Sequence, residues 1–224
     1  MDFMRILQSL EEFLYEAMSW IVFYPRAILR TVRHPVAVAV YTREQLKQPR
    51  ELQFTELVSP PLLLILTVVV AHFIELTSPG GMTAVHSALG REVFSSEQGV
   101  IATRSLAYCL FALLGAFTWL RHERKPIDRD TLREPFYIHC YLLAPFALGL
   151  STSVTVATSV AAPWSALALP LGLVSCLWYA VAQTAIYARL LRVSRTRAFF
   201  LACRANLAAT LAMIGVAIVV FGTP

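Results

Sequence analysis

The stretch Pro135–Ala188, PFYIHCYLLAPFALGLSTSVTVATSVAAPWSALALPLGLVSCLWYAVAQTAIYA, decides the fold. It runs for 54 consecutive residues without Asp, Glu, Lys or Arg. As one helix it would be about 80 Å long, whereas the hydrocarbon core of a bilayer is ~30 Å thick. The stretch must therefore turn back and cross twice. A large soluble helical core is the competing reading. It would need an apolar stripe on each helix with a polar face opposite, and no such stripe is visible.

Working outward, the whole chain has the same character. It is 57% hydrophobic and 15% charged, against about 25% charge in an ordinary soluble domain. Five spans are predicted, at about 60–76, 101–120, 136–155, 164–190 and 198–221. Ser59 is positioned to cap the first, and Pro60 and Pro61 suit its first turn, where a missing N–H costs little. Pro145 with Gly149, and Pro170 with Gly172, predict kinks in the third and fourth.

The basic residues alternate between loops as the positive-inside rule requires. Arg5, Arg26, Arg30, Arg33, Arg43, Lys47 and Arg50 precede the first span. Arg121, Arg124, Lys125, Arg129 and Arg133 lie between the second and third. Arg189, Arg192, Arg195 and Arg197 lie between the fourth and fifth. Together these are 16 of the 19 Lys and Arg residues. The loop from Thr77 to Val100 holds only Arg91, and the next outer turn holds none. The pattern predicts a cytoplasmic N-terminus and a C-terminus, Pro224, on the outer side. Asp2, Glu11, Glu12 and Glu16 stand where a secretory signal would carry basic residues, so no such signal is predicted. Seventeen arginines against two lysines, with many alanines, suit a high-GC bacterial genome. The expected location is therefore a bacterial inner membrane.

Residues 1–55 form a separate cytoplasmic or interfacial segment ahead of a transmembrane domain, residues 56–224. Phe3, Ile6, Leu7, Leu10, Phe13, Leu14, Met18, Ile21 and Val22 recur at helical spacing, so an amphipathic helix is predicted. Its polar face is net acidic. It can lie in the interface, with Trp20, Phe23 and Tyr24 at headgroup level, or dock on another membrane protein or a second copy. After Pro25 the charge reverses. Arg26, Arg30 and Arg33 share one helical face and are candidate contacts for anionic lipid phosphates; ordinary anchoring is the plainer reading. Residues 41–56 read as a short polar helix or linker.

Charges at membrane depth are expensive and draw attention as functional candidates. His72 and Glu75 share a face near the outer end of the first span, and Arg104 stands at a similar depth in the second. An ion pair between Glu75 and Arg104 is predicted, with His72 beside it, serving either a proton or cation relay or a structural clasp. His139, Gln183, Thr184 and Asn206 lie toward the cytoplasmic half. Arg204 either snorkels to the headgroups or turns inward onto a carbonyl or lipid phosphate.

Cys109, Cys140, Cys176 and Cys203 lie in apolar segments without C-x-x-C spacing. They read as packing residues, with no disulfide framework or zinc site. His122, Glu123, Asp128 and Asp130 read as a solvated loop. No catalytic motif is present, and no cofactor or metal is expected. Topology accounts for the positive charge, which leaves nothing for nucleic acid.

Two short motifs resemble those of the Yip family of membrane proteins. Glu56-Leu57-Val58-Ser59-Pro60 is similar to the D-L-Y-G-P sequence preceding that family's first span. Tyr141-Leu142-Leu143-Ala144-Pro145 is similar to its G-Y-x-L-L-P sequence, with tyrosine and proline four apart. Glu56, Val58, Ser59 and Cys140 depart from the family's residues. The family's topology is also five spans with the N-terminus cytoplasmic. Its eukaryotic members are non-enzymatic and associate with Rab-type GTPases and with one another. The resemblance implies a helical adaptor or accessory subunit. The alternative is a small-solute or lipid permease using His72, Glu75 and Arg104.

Overall fold

The computed structural model describes residues 2–77, 96–160 and 163–221. Arg91, Pro224 and most of the first outer loop lie outside the described residues. So do the side chains of Phe3, Ile6, Leu7, Leu10, Phe13 and Leu14. Among the described residues all regular structure is helical: α1 (Asp2–Arg33), α2 (Pro35–Gln45), α3 (Pro60–Leu76), α4 (Glu97–Glu123), α5 (Arg129–Ser159), α6 (Ala168–Leu190) and α7 (Arg195–Phe221), with single 3₁₀ turns at Arg50–Leu52 and Trp164–Leu167.

Helices suit this composition because hydrocarbon offers the backbone no hydrogen-bond partner, so each segment must satisfy its own N–H and C=O groups. Four helical stretches are long and apolar enough to cross a membrane: Glu97–Glu123, Arg129–Ser159, Trp164–Leu190 and Arg195–Ile218. The first three contain the predicted spans 101–120, 136–155 and 164–190, and the last covers 198–218 of the span predicted at 198–221. The remaining predicted span coincides with α3, an apolar helix of 17 residues. Its rise is about 25 Å, at the lower end of spanning length.

Helix ends follow local chemistry. Asp128 caps α5, accepting from the amides of Asp130 at 3.0 Å and Thr131 at 2.8 Å, while Thr131 Oγ1 accepts from the Asp128 amide at 3.2 Å. Ser96 caps α4 through the Gly99 amide at 3.1 Å. Ser59, expected to cap α3, makes no side-chain cap. Pro60 and Pro61 have removed the two nearest amides, and Ser59 contributes only its carbonyl, to the Leu63 amide at 2.8 Å. Pro145 lies inside a continuous α5. Pro170 falls in the first turn of α6 and interrupts nothing.

The central element is α5, against which α1, α2, α3, α4 and α6 all pack, while α7 closes the bundle against α6 and α4. Small residues set the helix spacing. A Cβ on Gly115 of α4 would stand 2.4 Å from His139 Cδ2 of α5. One on Gly149 of α5 would stand 2.3 Å from Ser175 Oγ of α6, and one on Gly172 of α6 would stand 2.8 Å from Ser153 Oγ of α5. The last two contacts make a reciprocal Gly–Ser crossing, the close approach typical of membrane helices.

The N-terminal segment joins this core. Ala27 of α1, Val38 and Ala39 of α2, and Leu57 and Val58 are buried in the same cluster as Leu63, Trp119, Tyr141 and Tyr187. The region read as a polar helix or linker, 41–56, is the end of α2 and a turn held by aromatic packing. Phe54, at φ 58°, lies 5.9 Å from Tyr137 and 6.3 Å from Tyr41, centroid to centroid. Its amide donates to Gln45 Oε1 at 2.7 Å. A positive φ is uncommon for a bulky residue, and these contacts hold it.

Candidate functional site

Among the described residues, the polar candidates come together at three places. At one end, Arg104 of α4 donates to both carboxylate oxygens of Glu75 of α3, Nη1 to Oε2 and Nη2 to Oε1, the second at 3.1 Å. The two side chains are 35% and 32% exposed, so the pair sits at the rim of the core. His72 is buried, and its Nδ1 is 3.8 Å from Glu75 Oε2, too long for a hydrogen bond. The three residues expected to cluster therefore do so. The bidentate fork occupies both carboxylate oxygens.

The second place lies between α4, α5 and α6. His139 Nδ1–H donates to the Pro135 carbonyl at 2.6 Å. Its Nε2 is hydrogen-bonded to the Tyr187 hydroxyl at 3.0 Å. Gln183 Nε2 donates to the same hydroxyl at 3.1 Å. Trp119 meets Tyr187 edge-on, with centroids 5.5 Å apart. Sequence reasoning singled out His139 and Gln183 but missed Tyr187, which joins them. The available signal was the four-residue spacing of Gln183 and Tyr187, which puts them on one face. Thr184 bonds only to its own helix, at Ala180 O, 2.7 Å. Asn206 does not join the group; its Oδ1 is buried without a hydrogen bond.

The third place brings the two short motifs together. The Tyr141 hydroxyl donates to the Val58 carbonyl at 2.7 Å. Val58 is the second residue before α3 and is buried, so its carbonyl has neither helix nor water to serve it. Pro60 begins α3 and Pro145 lies one turn beyond Tyr141 in α5. Glu56 lies 3.6 Å from Arg30 Nη1, and the guanidinium of Arg30 stands over Tyr41 at 5.1 Å from the ring centroid.

The remaining candidates are placed as follows. Arg26, Arg30 and Arg33 line one open groove with Pro25, Leu29 and His34. Arg204 is exposed on α7 rather than turned into the core. Cys140 is buried as expected of a packing residue, but Cys176 and Cys203 are exposed, because they fall on the outward faces of α6 and α7. Glu123, read as part of a solvated loop, accepts from Trp119 Nε1 at 3.0 Å. Among the described residues no three His, Cys, Asp or Glu side chains form a metal-capable group.

The class that the fold defines is a multi-pass helical membrane protein, with four helices among the described residues long and apolar enough to cross. Comparison with protein-family models, curated proteins and solved structures finds no match to the chain.

Proposed function

We propose that the chain is a non-enzymatic adaptor or accessory subunit of Yip-like type, with five crossings, in a bacterial inner membrane. In this reading α3 is the fifth crossing, the N-terminus is cytoplasmic and Pro224 is on the outer side. The loop charges support that orientation. One observation carries the functional reading. Three polar contacts tie segments of the bundle together: Glu75 with Arg104, His139 with Tyr187, and Tyr141 with Val58, while buried polar atoms of His72, Tyr179 and Asn206 take no hydrogen bond among the described residues. A relay or permeation path needs polar groups continuing across the bilayer. The permease alternative at His72, Glu75 and Arg104 therefore has less support than the clasp.

The meeting of the two Yip-like motifs at Tyr141 and Val58 adds support from a second direction, since both motifs acquire one structural purpose. The docking element is the first half of α1. Among its described side chains, packing on the core begins at Trp20, while Met18, Ile21 and Val22 are exposed. Its occupant is another membrane protein or the membrane surface.

Deletion of residues 2–18 tests this. The bundle should still insert and purify, because the truncation stops short of Trp20, and association with the native membrane partner should be lost. Association that survives the deletion counts against the adaptor reading.

A further inference from the structure

The hairpin of α1 and α2 reaches deep along the bundle. Trp178 stands near the middle of α6, and its indole N–H donates to the Val32 carbonyl, in the last turn of α1, at 3.1 Å. About 16 Å of helix rise separates Trp178 from Arg189, the first charge at that end of α6. The other end of α2 is at the charged edge, where Arg43 Nε meets Glu134 Oε1 at 2.6 Å. So α2 climbs from mid-depth at Pro35 to the charged edge at Arg43, and the turn between the helices is its deep end. Leu29, Val32 and Val40 are exposed around that turn, giving the hairpin an apolar outer surface.

Against this surface lies an open groove of about 440 Å³ lined by Pro25, Arg26, Leu29, Arg30, Arg33 and His34. Glu56 stands near Arg30. Among the described residues no carboxylate forms an ion pair with Arg26 or Arg33, and both are exposed. His34 is also the N-cap of α2, so the groove ends where that helix's free amides begin. Cations facing hydrocarbon demand an anion or water, and guanidinium forks fit phosphate oxygens.

We propose that this groove is a binding site for the phosphate of an anionic phospholipid from the nearer leaflet, drawn below the headgroup plane along the hairpin. Pro25 and Leu29 give it apolar walls for the lipid's glycerol and upper chains. The inference rests on the reading of α6 as a membrane crossing. It does not need the adaptor role, because it is tested on the purified protein alone.

The experiment is native mass spectrometry of the full chain in detergent micelles doped with phosphatidylglycerol, phosphatidylcholine or inorganic phosphate. Phosphatidylglycerol should be retained in preference to phosphatidylcholine, and inorganic phosphate should not displace it. The double variant Arg26→Gln with Arg33→Gln should weaken retention at least tenfold. Arg26→Lys with Arg33→Lys should recover part of it, and Arg192→Gln with Arg195→Gln, at the junction of α6 and α7, should leave it unchanged. Circular dichroism and gel filtration establish that each variant keeps its fold. Equal loss from the Arg192, Arg195 variant would mean general surface charge and overturn the site. Equal retention of phosphatidylcholine, or displacement by inorganic phosphate, would overturn the anionic-lipid assignment. Undiminished binding in the Arg26, Arg33 variant would overturn the groove itself.

Discussion

The hydroxyl of Tyr141 donates to the carbonyl of Val58 across 83 positions of sequence. It fastens the entry to α3 onto the middle of α5 and satisfies a buried carbonyl that no helix reaches. Tyr141→Phe keeps the ring and removes the donor. The orphaned carbonyl should cost about 1–2 kcal/mol, read as a lowered thermal midpoint of the purified protein with helix content unchanged at low temperature. A midpoint equal to the parent's would show that the bond contributes nothing.

Gly115 faces His139 too closely for any Cβ. Gly115→Ala must push α4 away from α5 or displace the imidazole from Tyr187. The expected cost is about 1–3 kcal/mol, as for overpacking elsewhere. Because both effects act through one ring, Gly115→Ala combined with His139→Ala should destabilise by less than the sum of the single changes. Strict additivity in thermal unfolding would contradict the contact.

Glu75 and Arg104 form a pair about one-third exposed. Solvent screens it, so Glu75→Arg or Arg104→Glu alone should cost about 1–3 kcal/mol, below the range for fully buried pairs. The double reversal should recover most of that loss in thermal stability. If the double variant is as unstable as the worse single one, the pair is not a clasp. Flux in vesicles should be the same for Glu75→Gln as for the parent.

The amides of Thr131 and Asp130 hold the Asp128 carboxyl below the usual carboxylate range, with Thr131 the larger cause. A folded value below the unfolded one means the cap stabilises above the unfolded value, near pH 4. That contribution is lost as pH falls through the lower folded value. Asp128→Ala should therefore speed amide exchange in the first turn of α5 at pH 7. The difference from the parent should shrink on acidification below about pH 4.

Five crossings put the two termini on opposite sides of the membrane; four put them on the same side. Alkaline phosphatase fused after Pro224 should be active, a fluorescent protein fused there should be dark, and the same reporters at the N-terminus should behave in the opposite way. Matching behaviour at both ends would remove α3 from the count of crossings.

The helix positions were legible from the sequence because the signals are local. Charge-free runs and Pro60 at a start each act within a turn or two, whereas Asp128, read as part of a solvated loop, proved to be the cap of α5. The Glu75–Arg104 contact was also legible, since two charges at equal depth on neighbouring helices have few other partners. The hairpin was not. Ala27, Val38 and Ala39, which pack it on the core, are small or common apolar residues whose burial depends on distant helices. Tyr187 and Gly115 were missed for the same reason, being ordinary until α4, α5 and α6 are brought together. The Ser59 cap did not form; the prolines that mark the helix start remove one of the two amides a cap can serve, that of Pro61, and the Ser59 side chain does not take the other.

The central place of α5 has a consequence for biosynthesis. Every helix that precedes it in the chain packs on it, α1, α2, α3 and α4 alike. During synthesis those four lack their shared partner until Arg129–Ser159 has been made. The N-terminal half is thus a client in storage for more than half of translation. A stall or truncation upstream of α5 should leave products that membrane quality control removes, rather than a stable smaller bundle.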